Sequence, residues 1–296
     1  MAKAKAIVKR RKVVINTRKI TKTMELVSTA KFKQSFNRIA SAMPYRQTLQ
    51  GMMRDLASAG GEIDHPLLRR RDPARHVTLL LLTSNRGLAG GFNSNLIKTA
   101  RSWIAEQREA GAEVALHVVG KKGLAYFRYV GEALAGGHTQ FGDRPAFADV
   151  EVLAEQFMEA YAEERTDRVA VVYQKYLSAG VQRPWTQVLL PLETATAESE
   201  AAARTAGPHA VVDYIYSPDA ESLLRQLLPA YFKTSLYHAF LENAVGEQRA
   251  RMVAMKNATD NAETMIKTLT RMYNRARQSQ ITNEISEIMG GVEALK

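Results

Sequence analysis

Cysteine is absent from this chain, which excludes disulfides, thiolate metal sites and a thiol nucleophile. Apolar runs such as Leu79–Leu82 are short, far below the ~18 residues of a membrane-spanning helix. The basic start Met1–Lys12 passes through Val13–Ile15 directly to Asn16, so the apolar core of a secretory signal is missing. These absences predict a soluble, intracellular protein. Carboxylates are scarce in one place only. Residues 1–38 hold twelve of the 41 Lys and Arg but one of the 30 Asp and Glu, Glu25, leaving 29 of each sign beyond. The net charge of +11 therefore belongs to one terminal segment, which calls for an anionic partner: nucleic acid, lipid headgroups or acidic protein. The 296 residues suit two domains, and 46% apolar with 24% charged composition excludes a disordered or collagen-like chain.

Proline and glycine are also missing from Ala4 to Ala42. Val13, Ile20 and Val27 recur every seventh residue there, with Met24 and Ala30 between them, which predicts a helix. Pro44 marks a kink or interruption before a second stretch to Leu56, and Gly60-Gly61 ends it. Residues 74–212 change character. His76–Thr83 reads as a buried parallel strand before a Gly-rich turn. Further strands are expected at Glu113–Val119, Val169–Tyr173 and Gln187–Leu190, and helices at Asn95–Glu109 and Val150–Glu164. Alternating strands and helices predict an open α/β sheet, while Thr194–Ala206 has the composition of a mobile loop. Beyond 213, Met255, Ala258, Ala262, Met265, Leu269, Met272 and Ala276 repeat in heptads, the seam of a coiled coil. An apolar stripe needs a cover, and the other long helix is the basic one. The simplest architecture is an antiparallel two-helix coiled coil of the termini (1–60 and 213–296) with the α/β domain inserted at 74–212. The alternative is that each helix wraps the globular domain.

For chemistry, the strongest candidate is Ser84–Asn93, a glycine-rich turn between strand and helix where backbone N–H groups can cradle phosphate. Its spacing matches neither GxGxxG nor GxxxxGK[ST], and Gly87, Gly90 and Gly91 read more simply as a structural turn. The six histidines lack metal-ligand spacing, and HExxH and GxSxG are absent. Ser28–Lys31 matches SxxK without its partner motifs. The residues thus predict no catalytic site, no metal and no cofactor. In the basic helix Phe32 and Phe36 are the only aromatics, spaced for an apolar face, which favours an acidic protein partner over nucleic acid.

Three segments resemble the gamma subunit family of F-type ATP synthase, bacterial type. They are Lys19–Lys31 (KITKTMELVSTAK), Ser84–Asn95 (SNRGLAGGFNSN) and Ala250–Ala262 (ARMVAMKNATDNA), the last running on through Tyr273–Gln278 and Ile281-Thr282. The resemblance spans the chain in order. It implies the coiled coil with an inserted Rossmann-like α/β domain, and the role of a central rotor shaft. The shaft turns inside a hexameric ring of alpha and beta subunits, above the epsilon subunit and the membrane c-ring. It also implies a non-catalytic subunit, peripheral on the cytoplasmic side of a bacterial membrane, that couples proton flow to ATP synthesis. By motif position Lys22, Met24, Arg277, Gln278 and Thr282 become candidate beta contacts, and Asp213, Tyr214, Tyr216 and Leu224 a candidate foot near epsilon and the c-ring. Arg11 stands where the family usually has an apolar residue, and Asn85 and Ala89 where it commonly has Asp and Cys.

Overall fold

The computed structural model describes residues 2–59, 65–178, 181–192 and 219–294. Helix α1 (Ala2–Ala59) leads to β1 (His76–Leu82), α2 (Phe92–Glu109), β2 (Glu113–Val119), α3 (Lys121–Val130) and β3 (Gly136–His138). Then come α4 (Phe147–Ala162), β4 (Arg168–Tyr176), β5 (Gln182–Leu190) and the 75-residue α5 (Ala220–Ala294). The chain divides into two compact units. A coil unit takes Met1–Lys31, Leu88–Gly90 and Arg249–Lys296, and a sheet unit takes Phe32–Gly87 and Gly91–Gln248.

In the sheet unit the strands run in the order β3-β2-β1-β4-β5, parallel except for β5, which pairs antiparallel with β4. Strand β1 sits centrally and is apolar on both faces, so Leu79–Leu82 are wholly buried. One face carries Leu80, Leu82, Val169 and Val171 against α4 and the first third of α5, where Leu224, Leu228, Phe232 and Leu236 are fully covered. The other face is packed by α2 through Leu96, Ala100 and Ile104. At the amino ends of β1 and β4 the Asp167 carboxylate accepts from the N–H groups of Arg75 (2.8 Å) and His76 (2.9 Å), fixing the start of the sheet.

Several expectations need correction. Pro44 does not interrupt α1, which continues to Ala59. Ala40, whose carbonyl loses its helical donor, and Pro44 itself are both exposed, so water can satisfy the orphan group. Pro229 is carried inside α5 in the same way, with Arg225 exposed one turn before it. Strands β4 and β5 are longer than their apolar cores, because their outer ends alternate polar and half-buried residues. Helix α3 and the three-residue β3 were not anticipated. One is short and interrupted by Gly123, and the other is Gly-Gly-His, which carries no strand pattern. The expected loop Thr194–Ala206 and the Gly60-Gly61 pair lie outside the described residues.

Candidate functional site

Within the coil unit the two helices are antiparallel. Arg11 places its guanidinium 5.6 Å from the centre of the Tyr273 ring, Arg18 approaches Glu263 at 4.0 Å, and Thr21 meets Thr259 at 2.8 Å. As one number rises the other falls, which defines the pairing. The aromatic ring of Tyr273 gives the cation at position 11 a partner, at a position where the resembled family usually has an apolar residue.

The seam is not the one the apolar heptads suggested. On α5, Met255, Ala262 and Leu269 are buried as expected, but the alternate positions are Thr259, Ile266 and Tyr273, while Met265 and Met272 are 44% and 53% exposed. The intermediate register is one residue later than predicted. On α1 the heptad residues Val13, Ile20 and Val27 are displaced outward, while Met24 is half-buried. Ile20 is 60% exposed, and Val13, Leu26 and Val27 are also open, while Thr21 and Ser28 are buried at 8% and 2%. Small hydroxyl side chains let the helices approach closely. Their polarity is answered locally, since the Thr21 and Thr259 hydroxyls reach each other and the carbonyls of Arg18 (3.1 Å) and Met255 (2.8 Å). The apolar stripe of α1 therefore faces outward. A second exposed apolar stripe, Ile281, Ile285, Ile288 and Met289, lies toward the end of α5. Sequence reasoning missed both, although their heptad spacing was the available signal.

The candidate contact residues fall into two groups. Lys22 is exposed, with its Nζ 3.1 Å from the Glu25 carboxylate, and Met24 is half-buried. Arg277, Gln278 and Thr282 are exposed on α5, where the Thr282 hydroxyl donates to its own Gln278 carbonyl at 3.0 Å. The antiparallel pairing sets Lys22 level with about residue 258, so Arg277 to Thr282 stand roughly 28–36 Å from it along the coil. Asp213, Tyr214 and Tyr216 lie outside the described residues. Leu224 is a correction. It is fully buried in the core of the sheet unit and offers no side chain to a partner.

The glycine-rich turn is held by its own chain. Asn93 Oδ1 accepts from the Ser84 N–H at 3.0 Å, Ser84 Oγ donates to the Arg86 carbonyl at 2.6 Å, and Asn85 Oδ1 accepts from the Lys121 N–H at 3.1 Å. Asn85 Nδ2 donates to the Phe141 carbonyl at 2.7 Å. Of the three glycines only Gly90 has a left-handed backbone, φ +56°, and a Cβ there would stand 3.6 Å from Ala254 on α5. Leu88, at the tip, shares the left-handed region at φ +63° and is exposed.

In open α/β sheets a ligand usually enters beside the carboxyl ends of the strands, where the strand order reverses. Here that point lies between β1 and β4, and α5 fills it. Asn243 Oδ1 accepts from the Gln174 N–H at 3.1 Å, and Glu242 Oε2 accepts from the Tyr176 N–H at 3.2 Å. Gly246 permits the approach, since a Cβ there would stand 2.5 Å from Gln174 Cγ. Farther out on β2 and β3, His117 and His138 stack with ring centroids 5.8 Å apart. Burial first, and the neighbouring ring second, push the His117 pKa down to about 4, and burial lowers His138 as well. No cluster of three metal-ligating side chains occurs among the described residues.

A family model described as ATP synthase matches residues 3–295. Over 296 residues the chain is 45% identical to the ATP synthase gamma chain of Gemmatimonas aurantiaca and 43% identical to that of Rhodopirellula baltica, covering 100% of both chains in each case. The chain belongs to the ATP synthase gamma chain family. Among solved structures, it is similar in fold to a chain of the Euglena gracilis mitochondrial ATP synthase OSCP/F1/c-ring structure in rotational state 3. The TM-score is 0.68 at 18% identity, covering 99% of this chain and 95% of that one. A chain of the Euglena rotor in rotational state 1 gives 0.66, covering 95% of this chain and 99% of the other at the same 18% identity. As a gamma chain, the protein is a subunit of a larger ATP synthase complex. No helix among its described residues is long and apolar enough to cross a membrane.

Proposed function

We propose that this gamma chain is the central rotor shaft of a bacterial F-type ATP synthase. Its coil unit turns within a ring of alpha and beta subunits, and its lower part engages epsilon and the c-ring. The observation that carries the reading is the full-length match to gamma chains, 45% identical in one case over all of both sequences. The geometry supports it through the coil's inverted packing. A helix that buries Thr21 and Ser28 while leaving Val13, Ile20, Leu26 and Val27 open has kept its apolar face for another surface.

The mechanism follows from asymmetry. A single two-helix coil has no threefold axis, so three beta subunits around it each meet a different face. Each then has its own conformational equilibrium biased differently, and turning the coil cycles the biases. Lys22 and Met24 form one contact zone with beta, and Arg277, Gln278 and Thr282 another. Exposed basic side chains on the shaft suit acidic loops of beta, since attraction between exposed charges is weak enough to be exchanged during rotation. Catalysis and nucleotide binding belong to the surrounding ring, and this chain takes no cofactor. Asp213, Tyr214 and Tyr216 are assigned to the foot. The complex lies at the cytoplasmic face of the cell membrane, with this chain attached peripherally through its partners.

The test is ATP-driven proton pumping by inverted membrane vesicles rebuilt from alpha, beta, delta and epsilon, with and without this chain. Pumping only in its presence, lost when residues 250–262 are scrambled, is the expected result. Pumping indifferent to the chain would overturn the assignment and redirect attention to salt-dependent binding of nucleic acid by the basic helix.

A further inference from the structure

On the sheet unit, α2 and α3 border an open groove of ≈ 720 Å³ lined by Ile97, Lys98, Arg101, Ala105, Lys122 and Tyr126 among others. Three of these are cations, and no carboxylate lines the groove. Elsewhere in the unit several basic side chains are met by carboxylates. Arg71 approaches Glu164 and Asp167, Lys233 is clasped by Glu151 at 2.9 Å and Glu155 at 2.6 Å, and Arg108 pairs with Glu132. Of the three cations in the groove, Arg101 donates from Nη1 to the Tyr126 hydroxyl at 3.0 Å, which neutralises no charge.

We propose that this groove docks an acidic, amphipathic segment of a partner protein. The lining spans Asn93 to Ala105 on α2, about 18 Å at ~1.5 Å per residue, the length of three helical turns. Its floor is apolar at the buried Ile97 and the half-buried Tyr126 ring, and its rim is cationic at the exposed Lys98, Arg101 and Lys122. A segment with leucine-like side chains on one stripe and carboxylates flanking it satisfies both features, the helix-in-groove mode of recognition. A compact free anion satisfies the rim and leaves the floor uncovered. The inference concerns the sheet unit alone and does not depend on the rotor assignment.

The probe is a fluorescein-labelled, 18-residue helical peptide with one leucine stripe flanked by glutamates, titrated with the full-length chain and read by fluorescence anisotropy. The triple variant Lys98→Glu/Arg101→Glu/Lys122→Glu should weaken binding by about tenfold or more, summing three modest surface attractions. The milder Lys98→Gln/Lys122→Gln should give an intermediate loss, which keeps the test valid if the charge reversals disturb folding. Lys9→Glu/Arg10→Glu/Arg11→Glu in the coil unit should leave the affinity unchanged, and a peptide with lysines for glutamates should prefer the triple variant. Unchanged affinity in the groove variants, an equal loss in the coil variant, or displacement by millimolar inorganic phosphate would each overturn the proposal.

Discussion

The two units bury opposite kinds of residue. In the sheet unit burial follows apolarity, with Leu79–Leu82, Phe232 and Leu236 fully covered. In the first 31 residues of the coil unit the side chains that disappear are Thr21 and Ser28, and Ile20 stands open beside them at 60%. A domain that makes its own core puts its greasiest residues there. A helix pair that leaves an apolar face for an outside surface closes on what is small, and satisfies the hydroxyls it covers.

This contrast can be broken or sharpened by substitution. The largest effect is expected in the sheet unit. Phe232→Ala empties a fully buried ring site and should cost about 3–5 kcal/mol, read by urea denaturation. Next comes a pH effect, also confined to the sheet. The folded His117 has a pKa near 4 against 6.5 for the ordinary side chain. Below about pH 6.5 the unfolded chain binds a proton that the folded chain refuses. Stability is thus fully present above that pH, falls as the pH drops toward 4, and levels off below it. The loss should be about 2 kcal/mol after allowing for partial exposure, and His117→Phe should flatten the thermal-midpoint profile across that window.

In the coil unit Thr259→Val should cost about 1 kcal/mol by removing the hydroxyl bond between the helices, the Thr21 hydroxyl keeping the Arg18 carbonyl, and adding Thr21→Val should cost less than the two single changes summed. Thermal melts of the four proteins give the coupling directly. Gly90→Ala should cost about 1 kcal/mol for its left-handed backbone, while Gly87→Ala, which has ordinary backbone geometry, should cost less. Smallest of all, Ile20→Ser should change the stability of the isolated chain by less than about 0.5 kcal/mol. In the rotor reading the same change should lower ATP-driven pumping, which separates a surface kept for partners from one that supports the fold.

The same contrast explains what could be read from residues alone. Strand β1, strand β2 and α2 were legible because their apolar patterns report burial within this chain. The coil was legible as a coil, yet its register slipped by one because Val13, Ile20, Met265 and Met272 have the spacing of a seam and are exposed. Helix α3 and β3 were not readable, since Gly120, Gly123 and the Gly136-Gly137 pair signal only turns. Leu224 was a candidate for the foot from the family resemblance, and three-dimensional packing put its side chain in the core.

The bonds from Asn243 and Glu242 to the end of β4 have a kinetic consequence. The amides of Gln174 and Tyr176 lie past the last β1 partner of β4, Leu81, where strand ends ordinarily fray and take up deuterium quickly. Here their hydrogens are gripped by side chains of a helix whose own core residues are buried, so neither strand tip nor helix can peel away first. Deuterium should enter both amides at the slow rate of the sheet's centre, and in one concerted opening rather than residue by residue.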